Sequence, residues 1–88
     1  MVDGSCAKFN NATLRLWKGK ITPVVYAWET NDPDSPWRAE ARLLQGDVVV
    51  RKFTQSSADR KQVAKDIAAD NAWTWLCTQY PTYDLINV

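Results

Sequence analysis

The chain has 88 residues, a formal net charge of +1 and no histidine. This length allows one domain with a modest core, and the near-zero charge argues against a strongly basic nucleic-acid clamp while leaving room for a local basic stripe. The lack of histidine excludes His-based catalytic triads and the commonest zinc ligand. No glycine-rich phosphate loop or nucleophile elbow is present. The sequence therefore predicts a protein that is not an enzyme, with no cofactor, no metal and no small-molecule substrate.

The two cysteines, Cys6 and Cys77, lie far apart in the sequence. This favours reduced thiols in an intracellular protein over a disulfide framework, without distinguishing cytoplasm from nucleus. No signal peptide and no apolar run long enough to span a bilayer is found, so we expect no membrane partner. We expect a disordered or vector-derived start over residues 1–5, one domain over 6–80 and a C-terminal tail over 81–88.

The first predicted element is a short amphipathic helix over residues 6–18. Gly19 is suited to end this helix, and Pro23 prevents it from continuing. Four apolar residues are compatible with helical spacing: Phe9, Leu14, Leu16 and Trp17.

Three strands are predicted next, over residues 23–30, 37–44 and 48–54. The first is rich in β-branched and aromatic residues. The second alternates cleanly, with apolar residues from Trp37 to Leu43 on one face and charged residues between them, as in a half-buried strand. Short strands joined by turns form an antiparallel meander.

The last predicted element is a long helix that ends before Pro81. Ser56 or Ser57 is expected to be its N-cap, because the spacing to Asp59 fits a capping box. Alanines recur every four residues along it and predict a stripe that lies close against the sheet: Ala64, Ala68 and Ala72. The order of elements predicts an α+β fold, an α-β-β-β-α two-layer sandwich with both helices on one face of a three-stranded antiparallel sheet.

The start of the last helix reads Lys61-Gln62-Val63-Ala64-Lys65, followed by small residues and Leu76. This segment, with the order of elements from about residue 9 to 76, resembles the double-stranded RNA-binding domain family, whose members often carry K-K-x-A-K here. Gln62 replaces the middle lysine of that motif. In the loop after the first strand, Pro33 matches the family's G-P-x-H motif, but the glycine and the histidine are absent.

The resemblance implies binding of double-stranded RNA through duplex shape and phosphates, independent of sequence. The sparse matches predict weak binding, as one domain of a larger RNA-processing protein. Cations at a helix N-terminus oppose the helix dipole, which makes them candidates for a functional role. The alternative is a solvated charged face, offset by Asp59 and Asp66. The implied RNA-binding residues are Arg60, Lys61, Gln62 and Lys65 on the last helix, Ser35 in the loop, Lys18 at the end of the first helix and Lys20 just after it.

The aromatic residues of the first strand suggest a second function. If Val25 points inward, Tyr26 and Trp28 lie on the outer face of the sheet, where aromatic residues favour a protein partner. A register shift of one residue would instead bury them. The third strand, with Val49 and Arg51, is expected to be a sheet edge that can pair with another chain. The alternative function is therefore a protein-interaction or homodimerisation module that has lost most RNA contacts.

Overall fold

The computed structural model describes residues 4–87 and builds a sheet with two helices packed on it. The elements are α1 (Ser5–Trp17), β1 (Thr22–Glu29), β2 (Trp37–Gln45), β3 (Val48–Lys52), β4 (Ser56–Ala58) and α2 (Lys61–Gln79), followed by two short 3-10 helices, Pro81–Tyr83 and Leu85–Asn87. The predicted α+β sandwich is confirmed, and β4 is an addition to it.

The sheet is antiparallel, with β2 at its centre. β1 lies along one edge of β2, while β3 and β4 follow each other along the opposite edge. Gly46 adopts a positive φ of 62° in the turn between β2 and β3, a conformation that favours glycine. Val25 pairs with Ala41, and Ala27 pairs with Ala39. These residues form the inner face, which packs against the helices.

The core depends on a close approach between α2 and the sheet. The predicted alanine stripe is fully buried, and so is Ala69 beside it. These alanines pack in one core with Ala39 and Ala41 of β2, so small side chains meet from both layers. Larger side chains fill the remaining space, chiefly Phe9, Leu43 and Leu76. Interiors are densely packed, so this interface leaves little room for added methylene groups.

The predicted capping box is wrong. Ser56 belongs to β4 and pairs with Ala39, and its hydroxyl donates to the carbonyl oxygens of Ala39 and Ala64. Pairing with β2 keeps residues 56–58 extended, so α2 begins only at Lys61. Its N-cap is Arg60, which has extended backbone angles and makes no side-chain capping hydrogen bond.

The C-terminal segment packs against the helices rather than leaving them. Leu85 is 2% exposed and belongs to the core. Trp73 holds it by donating its Nε1–H to the Leu85 carbonyl at 3.1 Å. Residues 81–87 are therefore part of the packed domain. At the other end, Ser5 is already the buried first residue of α1, and the expectation of disorder otherwise falls on residues 1–3, outside the described range.

Candidate nucleic-acid interface

The first turns of α2 carry a group of cationic side chains on a helix end with no capping side chain. Arg60 and Lys61 are exposed, and Lys65 is half-buried one turn further along. The first turn contains no acidic residue. A helix N-terminus has free backbone N–H groups and the positive end of the helix dipole. These features favour an anion, and phosphate is the anion such helix ends commonly bind.

Two contacts anchor this group to the rest of the domain. The Lys61 ammonium lies 5.7 Å from the ring centre of Trp37, which fixes it near the start of β2. Gln62 donates from Nε2 to the Asp66 carboxylate at 3.0 Å. Asp66 also faces the Cys6 thiol, with 3.6 Å between Sγ and Oδ1. Asp66 is therefore turned toward α1.

The same arrangement shifts the pKa of Cys6. Burial raises the pKa of its thiol, and the hydrogen bond and negative charge of Asp66 raise it further. A thiol with a raised pKa is mostly protonated near neutral pH and is a poor nucleophile. The thiol of Cys6 instead links α1 to α2 through its contact with Asp66.

The loop between β1 and β2 lies at the same end of the sheet, because it leads directly into Trp37. Asp32 organises this loop: its Oδ1 accepts the backbone N–H of Asp34 at 3.0 Å and of Ser35 at 3.3 Å. The Asp32 carboxylate is thus engaged within the loop. Asp34 is exposed and remains a charge that opposes phosphate at this end. Ser35 stands two residues before Trp37, the residue whose ring the Lys61 ammonium approaches.

Lys18 and Lys20 lie at the far end of the domain. The two helices run parallel, because Cys6 at the start of α1 meets Asp66, while Trp17 at its end stacks edge-on against Tyr80. α2 has 19 residues and is about 28 Å long. The structure therefore does not bring these two lysines together with the cations at the N-terminus of α2.

Residues expected to meet a protein partner lie on two different surfaces. Tyr26 and Trp28 are on the outer face of the sheet, opposite Glu40 and Arg38, so the expected register is confirmed. Val49 is exposed on β3. Arg51 points the other way, and its guanidinium lies 4.2 Å from the ring centre of Trp75. Arg51 therefore covers the core edge rather than the outer face.

A buried ion pair on the outer face was missed from the sequence. Glu40 is only 7% exposed although no helix covers it. It pairs with Arg42 and accepts a second hydrogen bond from Gln55. Burial raises the pKa of Glu40, but these hydrogen bonds and the nearby charges of Arg42 and Lys52 outweigh it and hold the pKa below its usual value. Alternation marked this position as polar, but it gave no sign that neighbouring side chains would bury it.

Other features limit what the site can contain. Among residues 4–87, no group of three or more cysteine, aspartate or glutamate side chains is arranged to hold a metal ion. No helix in this range is both long and apolar enough to cross a membrane. In comparisons with protein-family models and with curated proteins, no match to this chain was found.

Proposed function

We propose that this protein binds double-stranded RNA weakly, through phosphates that contact the N-terminal end of α2. The observation that supports this most is the uncapped start of α2, where Arg60 and Lys61 are exposed and Lys65 lies one turn along. The fold resembles the double-stranded RNA-binding domain, whose members use this helix end against phosphates across the major groove. Arg60, Lys61 and Lys65 are the proposed phosphate contacts.

The β1–β2 loop is a weaker second contact in this proposal. It stands at the same end of the sheet as the helix cations, so both can face one duplex. Ser35 can donate its hydroxyl to a phosphate, but Asp34 opposes binding. Gln62 already donates to Asp66, so its side chain contributes less than the three cations. Lys18 and Lys20 could meet only a distant part of a long duplex.

The test is a titration with a 20-base-pair RNA duplex, followed by NMR shifts at low and physiological salt. The double variant Lys61→Ala/Lys65→Ala should weaken binding and lower the slope of log affinity against log salt by about 2, one for each lost phosphate contact. An unchanged slope in a folded variant would remove these lysines from the site. The control Arg38→Gln/Lys52→Ala also removes two charges, but from the opposite side of the sheet, and should leave the slope unchanged.

A second candidate function is self-association or protein binding through the edge of β3. Val48, Val49 and Val50 are all exposed, and in residues 4–87 this strand pairs only with β2. An exposed apolar edge can add a strand from another chain. Sedimentation velocity over a range of concentrations tests it. A concentration-dependent dimer that Val49→Lys converts to monomer would support this function, and a monomer at every concentration would exclude self-association.

A further inference from the structure

The outer face of the sheet carries aromatic and cationic side chains that take no part in the proposed RNA contacts. Both helices pack on the inner face, so this side of β1, β2 and β3 is uncovered in the described residues. β1 contributes Val24, Tyr26 and Trp28, and neighbouring strands contribute three cations. Those cations are Arg38, Arg42 and Lys52. Among the paired strand residues of this face within residues 4–87, Glu40 carries the only carboxylate.

The centre of this face is held rigid by its own contacts. The Arg42 guanidinium lies 4.5 Å from the ring centre of Tyr26 and also pairs with Glu40. Gln55 holds the other carboxylate oxygen of Glu40 at 3.3 Å. A buried carboxylate with these partners fixes the side chains around it. This half of the surface is therefore pre-organised, which lowers the entropy cost of binding.

The other half of the face contains two side chains that lie opposite each other on neighbouring strands and make no polar or ring contact within the described residues. Trp28 and Arg38 are cross-strand neighbours, and both are half-buried. Within residues 4–87 neither side chain makes a hydrogen bond, ion pair or ring contact. Most other arginines in this range make such a contact: Arg15 donates to the Tyr83 carbonyl, and Arg42 and Arg51 lie over aromatic rings. Tryptophan and arginine are also the residue types enriched at binding hot spots.

We propose that this outer face binds an acidic, extended peptide segment of another protein, with Trp28 and Arg38 as its anchors. Arg38 would donate two parallel N–H hydrogen bonds to a carboxylate of the peptide. Trp28 would pack against a neighbouring apolar side chain while its indole N–H donates to the peptide backbone. Lys52 provides a second site for an acidic side chain. The occupant follows from charge, since cations outnumber the carboxylate on this face.

A peptide fits this surface better than a single-stranded nucleic acid. Glu40 already satisfies Arg42, which leaves only Arg38 and Lys52 for incoming anions. Lys52 lies opposite Arg42, which is four residues from Arg38 along β2, or about 13 Å. The two uncompensated cations therefore do not form a continuous track. A nucleic acid binds through many phosphate contacts, which this face does not offer. A peptide with one carboxylate beside an apolar side chain needs only the Arg38 guanidinium and the Trp28 indole.

The experiment is a selection of random 12-residue peptides displayed on phage against the full 88-residue protein, followed by NMR mapping of an enriched peptide. We expect enriched peptides to contain aspartate or glutamate beside apolar residues, and their shifts to centre on Trp28, Arg38 and Lys52. Arg38→Glu should weaken the selected peptide by about tenfold or more, as expected of a hot spot. Trp28→Phe should weaken it less than Trp28→Ser.

The matched control is Lys61→Ala/Lys65→Ala, which should leave peptide affinity unchanged while weakening the RNA duplex. A 12-nucleotide single-stranded RNA is titrated in parallel. The proposal would be overturned if no peptide is enriched or if the enriched peptides are basic. It would also be overturned if the NMR shifts are confined to β3, or if a folded Arg38→Glu variant keeps its affinity for the peptide. Binding of the single-stranded RNA to this face in place of peptides would also overturn it and would assign the surface to nucleic acid. Because different substitutions test peptide binding and duplex binding, failure of one proposal leaves the other testable.

Discussion

The buried pair Glu40–Arg42 provides a test of how the uncovered face of the sheet is stabilised. Arg42→Met removes the charge and keeps most of the apolar length of the side chain. Removing one partner of a fully buried ion pair costs about 3–5 kcal/mol, because the other charge is left uncompensated. Here the Arg42 side chain is 28% exposed and Gln55 still donates to Glu40. We therefore expect a smaller loss of unfolding free energy, about 2 kcal/mol at pH 7.

The pH dependence of this loss has a defined sign. The folded-state pKa of Glu40 lies below its usual value, so the pair stabilises the fold above the pKa of the unfolded chain, and this contribution is lost as pH falls through the folded pKa. Arg42→Met raises the pKa of Glu40, because burial then dominates. The difference between wild type and variant should be largest at neutral pH and should shrink as the pH falls toward 3.5, because Glu40 takes up a proton at higher pH in the variant than in the wild type.

The assay is urea unfolding followed by tryptophan fluorescence at pH 7 and pH 3.5. Lys52→Met is the matched control: it removes a nearby charge that makes no hydrogen bond to Glu40, and it should change stability by less than about 0.5 kcal/mol. The double variant Glu40→Gln/Arg42→Met should be more stable than the sum of the single losses predicts, as in any coupled pair. A loss below about 0.5 kcal/mol for Arg42→Met at pH 7, or an equal loss at both pH values, would refute the reasoning.

Two further predictions concern the packing of the core, and a third concerns the reactivity of Cys6. Ala68→Leu should destabilise the domain by about 1–3 kcal/mol through overpacking against β2, which thermal unfolding would register as a lower Tm, whereas Val63→Leu on the exposed side should have little effect. Leu85→Ala should cost about 2 kcal/mol or more in urea unfolding, since Leu85 is buried, and Ile86→Ala beside it should be nearly neutral. Cys6 should react with iodoacetamide at pH 7.5 more slowly than a cysteine in an unstructured peptide, because its pKa is raised; an equal rate would contradict its burial.

The parts of the fold that the sequence predicts are those encoded in a local period. Alternation along 37–44 placed β2 and its two faces, and the four-residue repeat from Ala64 to Ala72 identified the buried stripe of α2. An inward Val25 on β1 also predicts that Tyr26 faces outward, as it does in the structure. Each of these depends on residues within one element, so the pattern is visible without knowing what packs against it.

The missed features depend on contacts between distant residues. Ser56 fits a helix cap and a strand equally well, and pairing with β2 decided between them. Glu40 lies opposite Tyr26 of β1 and accepts a hydrogen bond from Gln55, and both of these residues belong to other segments. Leu85 joined the core through Trp73. For the candidate site, the separation of Lys18 from the α2 cations required knowing that the helices are parallel.

The correction at the start of α2 bears directly on the proposed function. A serine N-cap would have placed a hydroxyl acceptor on the backbone N–H groups of the first turn, which an anion would then have to displace. Instead, Ser56 donates to carbonyl oxygens of β2 and α2, and Arg60 caps nothing. The cations in the first turns lie at the positive end of the helix dipole with no acidic residue in the first turn, an arrangement that costs about 0.3–1 kcal/mol for each exposed charge. A bound phosphate would relieve this repulsion and use the free N–H groups at once, so the feature that weakens the isolated helix is the one that favours an anionic ligand.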